Sequence, residues 1–461
     1  MDGALADVGD GLRDLDGWLE PFLDVMGRKT RRAWAPFYVR GLLGPGERKS
    51  LQPMAARLGL PGHDQLQHFV ASKAWDDGPL WTVLAQEADR LVGGPGGYLV
   101  IDDTALPKKG TLSVGVARQD CGQLGKQANC QSLVSLTLAQ GEVPVPVGLR
   151  LFLPEEWTGN AGRCDRAGVP ETAMTPASKG EIALAELDRV RAAGVRFGCV
   201  LADAGYGASA AFRHGLDARG LSWAVGVPKN QKVYGIDVHL VPPPGRARKP
   251  VPSEEPCAAE DVLAERPWRR TTWRHGTIAE GDPSERRTAK PSRGKLAARF
   301  AAARIRVADG VVWGNNRHLP GREAWLVGEW RTSGERKYYL NNLPPGTSVR
   351  AFAAAIKARW VCEQAHQQLK GELGLGHFEG RSWTGLHRHA LMTCIAYAYL
   401  QHLRLAGQPR TGLGENAPLR SGTATIAKPA RRAPRHHGQA VRPTRPARPV
   451  PLLQAPVPTI P

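Results

Sequence analysis

The chain reads as an α/β protein: a mixed-sheet core, preceded by a helical N-terminal domain and interrupted by a β-rich insertion. Three observations predict this. Residues 1–92 carry apolar side chains at helical spacing. Residues 98–153 are a succession of strand-like runs. From 179 to 227 helical and strand patterns alternate. Consecutive strands followed by alternating helix and strand describe a mixed sheet.

In the N-terminal domain (1–92), Leu12, Leu15, Trp18, Leu19 and Phe22 recur on one helix face. Arg28-Lys-Thr-Arg-Arg follows, a dense cationic run. Residues 49–72 then read as helix, turn (Gly59-Leu-Pro-Gly) and helix. A helix-turn-helix whose second helix, near His63 to Ser72, enters a major groove fits this pattern, and so does a plain helical hairpin packed on the core. Arg28, Arg31, Arg32, Arg48 and Lys49 suit phosphate contacts better than base reading.

The first part of the core spans 98–228. Tyr98-Leu-Val-Ile-Asp-Asp-Thr is a short apolar run ending in two carboxylates, with Pro107 and Gly110 beyond, so it predicts a buried strand entering a loop. Further strands are expected at Ser113–Ala117, Ser132–Leu138 and Val143–Phe152, and a helix over Lys179–Ala193. Phe197-Gly-Cys-Val-Leu-Ala-Asp-Ala-Gly-Tyr-Gly again runs a buried strand into an Asp. A helix near 208–219 and a strand from Ser222 to Val227 follow.

Residues 229–345 form the insertion. Pro242 to Arg293 is Pro- and Arg-rich, whereas Arg304 to Leu340 returns to strand-like runs. Trp268, Arg269, Arg270, Trp273 and Arg274 could grip a DNA backbone and stack an unpaired base. The favoured alternative is an amphipathic strand with Arg stems lying on Trp. Residues 346–404 resume the core. Here Arg359, Glu363 and Lys370 stand four and seven residues apart, which at about 3.6 residues per turn returns all three to one side of a helix. A Gly-rich break is expected over Gly371–Phe378, then an apolar helix from His387 to Leu403 packing on the sheet. His387 and His389 read as surface residues at that helix's start, with DNA contact as the alternative. Residues 405–461 are rich in Pro, Arg and Ala and are expected to be a disordered basic tail.

Side chains at the carboxyl ends of strands in α/β sheets face the crevice where ligands bind. Asp102 or Asp103, Asp203 and Glu363 therefore make a three-carboxylate set. Hard cations such as Mg²⁺ prefer such oxygen donors, and a pair of them supports phosphoryl transfer.

At these residues the chain resembles a known family. Ile101-Asp-Asp-Thr, Leu201-Ala-Asp-Ala-Gly-Tyr and Arg359-x3-Glu363-x6-Lys370 are similar to the three signatures of DDE transposases of the IS4-like superfamily, the IS701-type above all. Lys108–Gln119, Gly125–Gln131 and Arg381–Ala390 add to the likeness, which covers roughly residues 15 to 404. The resemblance implies an RNase H-like core and Mg²⁺-dependent cleavage and joining of DNA ends, with Mn²⁺ as substitute. It implies Asp103, Asp203 and Glu363 as metal ligands and Arg359 and Lys370 as DNA contacts; Asp102, beside Asp103, points the other way if the strand continues and is expected to play a structural or supporting role. It further implies double-stranded DNA as partner, a homodimer holding two ends, and a bacterial, cytoplasmic, nucleoid-associated setting. Where the superfamily has Tyr three residues before the Arg, this chain has Ile356. Its tail also departs from the family. A reading-frame shift near residue 410 would produce that composition, which resequencing the locus tests.

Charge agrees with a polyanionic partner: 62 Lys and Arg against 43 Asp and Glu give +19 over 461 residues. No apolar run reaches the ~18 residues of a membrane span, and the acidic start lacks the form of a signal peptide. The seven cysteines are scattered, with no C-x2-C pair, as suits a reducing compartment rather than a disulfide or zinc scaffold. A repurposed, non-cleaving DNA-binding relative, a metal-dependent nuclease without joining activity, and a structural protein are the rival classes. The intact acidic triad argues against the first, strand-transfer assays distinguish the second, and the third leaves the spacing of the three acidic motifs unexplained.

Overall fold

The computed structural model describes residues 14–72, 75–242, 249–274, 295–314 and 317–406. Of the tail expected to be disordered from 405, Leu405 and Ala406 belong instead to a helix, and residues 407–461 lie outside the described residues, as do Leu12 and the acidic start.

Five helices open the chain: α1 (14–24), α2 (Lys29–Leu43), α3 (Leu51–Arg57), α4 (Asp64–Ala71) and α5 (Gly78–Val92). The apolar stripe Leu15, Trp18, Leu19 and Phe22 is buried, as its spacing predicts. Helices α2, α4 and α5 pack on the long helix Trp383–Ala406, and α5 also lies on the sheet. These helices share one continuous apolar core with the sheet. On α4, Leu66, Phe69 and Val70 face inward, while Asp64, Gln65, Gln67 and His68 are exposed.

The sheet is built around β1 (Tyr98–Pro107). β3 (Lys126–Gln140) pairs antiparallel with β1, and β4 (Val143–Leu151) antiparallel with β3. On the other side β5 (Cys199–Ala202) runs parallel to β1, and β6 (Trp223–Val227) parallel to β5. β4–β3–β1–β5–β6, with only β3 reversed, is the RNase H-like arrangement. The expected strand at Ser113–Ala117 is instead a turn, and the short β2 begins only at Ala117 and runs to Cys121. Gly115 explains this: its φ of +70° is not a strand conformation, and a Cβ there would sit 2.8 Å from Leu151.

Among the described residues, six strands from Lys232–Tyr234 to Arg336–Asn341 extend this same sheet, while Leu240–Val241 pairs with Val251–Pro252 and Val312–Gly314 with Arg317–His318 apart from it. The Arg336–Asn341 strand pairs with β6, Glu323–Arg331 pairs with it, and Lys295–Val307 comes next, making a 12-stranded sheet. Trp268 packs edge-on against Trp330 at 5.8 Å, and Arg336 lies 4.4 Å over Trp330. Gly328 makes room, since a Cβ there would meet Trp268 at 2.6 Å. The helix Val349–Ala358, capped by Ser348, covers this part of the sheet, with Ile356 buried among Phe300, Val327 and Phe352. The next helix, Trp360–Gly371, covers the core strands. Among the described residues no helix is long and apolar enough to cross a membrane.

Candidate active site

The site begins with register. β1 and β5 are parallel with Ile101 opposite Ala202, so the next residues, Asp102 and Asp203, lie on the same face where the β1–β5 pairing ends. Asp203 also caps the short turn Ala204–Gly207, its Oδ1 accepting from the backbone N–H groups of Gly205 (2.9 Å) and Tyr206 (3.3 Å). That turn touches β6 directly. A Cβ on Gly207 would lie 2.0 Å from the Gly226 carbonyl, so a larger residue would push Asp203's turn off the sheet.

Glu363 comes from the helix layer. The Trp360–Gly371 helix buries Val361, Cys362, Ala365, His366 and Leu369, leaving Glu363 exposed. Its buried side rests on the Asp102 face of the sheet. Cys362 Sγ meets Thr137 Oγ1 at 3.3 Å, and His366 Nε2 meets Ser135 Oγ at 2.7 Å. Ser135, opposite Asp102 in the β1–β3 register, donates to the Asp102 main-chain carbonyl at 3.1 Å.

Arg359, at the junction of the two helices, ties the site together. Its Nη1 donates to Asp102 Oδ2 at 2.7 Å and its Nη2 to Glu363 Oε1 at 2.6 Å. Burial opposes the guanidinium's charge, but Asp102, Glu363 and Asp203 outweigh it and hold its pKa above the ordinary value. Asp102 moves to about 7: burial pushes it up, Arg359 pulls it down, and Asp203 and Glu363 push it up again. One guanidinium thus faces three carboxylates, so the cluster carries surplus negative charge. These hard oxygen donors fit a divalent cation.

The structure places the expected residues unevenly. Asp203, Glu363 and Arg359 come together, but the first acid beside them is Asp102, not Asp103. Asp103 points to the other face of β1, where its carboxylate accepts from Lys179 Nζ and the Tyr206 hydroxyl. The physical reason is strand alternation: neighbours on β1 face opposite ways, and the Glu363 helix lies on Asp102's side. Lys370 is half-buried, and burial pulls its ammonium down. Arg28 is exposed, Arg31 half-buried, and Arg32 exposed with its guanidinium on the Asp24 carbonyl. Lys49, expected on phosphate, is 4% exposed and donates to the Gly44 carbonyl; burial and Arg57 pull it down to about 8.

The expectation of surface histidines at the start of the last helix is also overturned. His387, Arg388 and His389 are buried. Tyr38 donates to His389 Nδ1 at 2.8 Å while Nε2 reaches the Gly374 carbonyl at 3.0 Å. Arg388 caps the carbonyls of Val70, Ser72 and Trp75 and lies 3.9 Å over the Trp75 ring. Reasoning from sequence passed over Lys179 and Tyr206, since a Lys opening a helix and a Tyr in a Gly-rich turn carry no local mark of a carboxylate partner.

Comparison with known proteins adds a family. A model of DDE superfamily endonucleases matches residues 21–280, and one of the transposase DDE domain matches residues 164–399. Over 194 residues the chain is 29% identical to the probable transposase for insertion sequence element IS701 of Microchaete diplosiphon, covering 42% of this chain and 48% of that one. The match thus spans about half the length of that relative. Among solved structures, a piggyBac transposase synaptic complex with hairpin DNA aligns over 86% of this chain and 73% of that one, at 10% identity and a TM-score of 0.40.

Proposed function

Because the chain belongs to the DDE superfamily of transposases and endonucleases, we propose that it cleaves the ends of its own insertion sequence and joins them to target DNA. The observation that carries this reading is Arg359 bridging Asp102 and Glu363, with Asp203 on the same face of the sheet next to Asp102 in the β1–β5 register. Asp102, Asp203 and Glu363 are proposed to hold Mg²⁺, with Mn²⁺ as substitute; bound there, such ions activate a nucleophile and stabilise the leaving oxygen of a phosphodiester.

The protein's own groups supply the rest. Ser135 and the strand register hold Asp102 in place from beneath. Arg359 bridges the first and third carboxylates and, with its remaining donors, can orient a non-bridging phosphate oxygen. Lys370, two turns beyond Glu363 on the same helix, adds positive potential along the strand being cut. In the first reaction water attacks the phosphodiester, leaving a 3′-hydroxyl and a 5′-phosphate. In the second that hydroxyl displaces a phosphodiester oxygen of the target. Holding two ends at once calls for a homodimer on double-stranded DNA, in a bacterial cytoplasm at the nucleoid.

The test is cleavage and strand transfer of a plasmid carrying the element's own flanking ends, in Mg²⁺ and in EDTA. Cleavage in Mg²⁺ alone that disappears in Asp102→Asn, Asp203→Asn and Glu363→Gln supports the proposal. Unchanged cleavage by Asp102→Asn sinks the site assignment. Cleavage without joining would reduce the activity to that of a nuclease.

A further inference from the structure

Behind the acidic cluster lies a second donor set that this reaction does not use. Cys362 and His366 stand four residues apart on the Trp360–Gly371 helix, both on its buried side, at 0% and 6% exposure. Their ligand atoms and one Asp102 carboxylate oxygen all lie within 4.8 Å of one another. Cys362 Sγ and His366 Nε2 are 3.6 Å apart. A tetrahedral zinc ion, with Zn–S about 2.3 Å and Zn–N about 2.0–2.1 Å, holds its sulfur and nitrogen about 3.6 Å apart, so this pair already has the required spacing.

We propose that Cys362, His366 and Asp102 form a binding site for a soft divalent cation, Zn²⁺ in the first place, that competes with Mg²⁺ for Asp102. Thiolate and imidazole select zinc over magnesium, whereas the Asp203 and Glu363 side offers oxygen alone. Three protein ligands leave a fourth position for water, as in open zinc sites. Binding exchanges partners the structure already provides: Cys362 gives up its contact with Thr137, and His366 its bond to Ser135. The Cys362 thiol proton leaves to solvent as the Zn–S bond forms. His366 Nε2 donates to Ser135 Oγ, whose own proton goes to the Asp102 carbonyl, so the imidazole proton moves to Nδ1 as the Zn–N bond forms. With Asp102 taken by zinc, the first carboxylate is removed from the reaction site. This last step rests on the reading of Asp102 under Proposed function; the site itself does not.

The experiment is a Co²⁺ titration of the full chain carrying Cys257→Ser, which removes the exposed thiol. The expected result is a near-ultraviolet sulfur-to-cobalt band saturating at one equivalent and displaced by Zn²⁺. It should vanish in Cys362→Ser and in His366→Gln and persist in Asp203→Asn. No saturable band in the parent protein overturns the proposal, whatever the variants do, and so does a band that survives Cys362→Ser. In Mg²⁺ cleavage assays, one equivalent of Zn²⁺ is expected to inhibit the parent at least tenfold; inhibition of under twofold at saturating band intensity overturns the competition for Asp102. A protein that shows the band but never cuts DNA keeps the metal site and loses only the proposed function.

Discussion

Asp102 and Glu329 are both buried carboxylates in one sheet, and their pKa values move in opposite directions. Asp102, in the core half, rises to about 7 because burial and two acidic neighbours outweigh a single arginine. Glu329, in the extension and fully buried, falls below the usual value. Burial opposes that fall, but Lys357 and Arg331 pair with it and the Tyr339 hydroxyl donates at 3.1 Å. Burial also pulls the Lys357 ammonium down, and its pairing with Glu329 works against that. One half of the sheet buries a charge and neutralises it, fastening the Val349–Ala358 helix to the strands. The other gathers like charges without neutralising them. That arrangement costs stability and makes sense where an external cation completes it.

Substitution should separate the two sites most widely. Asp102→Asn is expected to lower Mg²⁺-dependent cleavage by at least about 100-fold while leaving the urea midpoint unchanged or higher, because it removes one of three crowded charges. Glu329→Gln removes the carboxylate that Lys357 and Arg331 share and should cost about 3–5 kcal/mol, read from the same urea curves. Equal destabilisation by both variants would erase the contrast. The two faces of β1 offer a smaller test. Asp103→Asn should lower cleavage by about tenfold or less, through loss of its Lys179 and Tyr206 contacts. A loss as large as that of Asp102→Asn would return the first carboxylate to Asp103.

Buried histidines extend the comparison to pH. His387 and His389 are pulled down to about 4, chiefly by burial. Unfolded, each takes up its proton near 6.5; folded, only near 4. Between those values the unfolded chain binds more protons, so stability present above about pH 6.5 is lost as pH falls toward 4. The effect is on the order of 3 kcal/mol for each histidine when fully developed. The measurement is the melting temperature from pH 7 to pH 5, which should fall less in His389→Gln than in the parent. The smallest effect is expected at the Ser178 capping box, which starts the helix carrying Lys179. Ser178→Ala should cost about 1 kcal/mol and leave cleavage nearly unchanged.

Much of this was legible in the chain. The run Tyr98–Ile101 and the run Cys199–Ala202 each announce a buried strand leading into Asp, because apolar β-branched stretches have few other stable settings, although β1 continues past its two Asp residues to Pro107 instead of entering a loop there. The Arg359 and Glu363 spacing announces a helix face, and the two side chains do bond to each other. What local pattern could not carry was the face. Asp102 and Asp103 are equivalent in sequence, and only the side on which a helix some 260 residues later comes to rest distinguishes them. Likewise Lys49, His387 and His389 look like surface residues until the Gly374–His377 turn packs on Lys49, Leu151 of β4 meets His387 and Tyr38 of α2 meets His389.

The amino-acid sequence by itself determined the elements, their order and the residue types gathered at the strand ends, since hydrophobic period and turn chemistry are local properties. Tertiary structure decided which carboxylate joins the site, that the inserted strands prolong the core sheet through β6, and that Cys362 and His366 lie beside Asp102. Those outcomes depend on register and on which face of the sheet each helix covers, and both are settled by contacts between residues hundreds of positions apart.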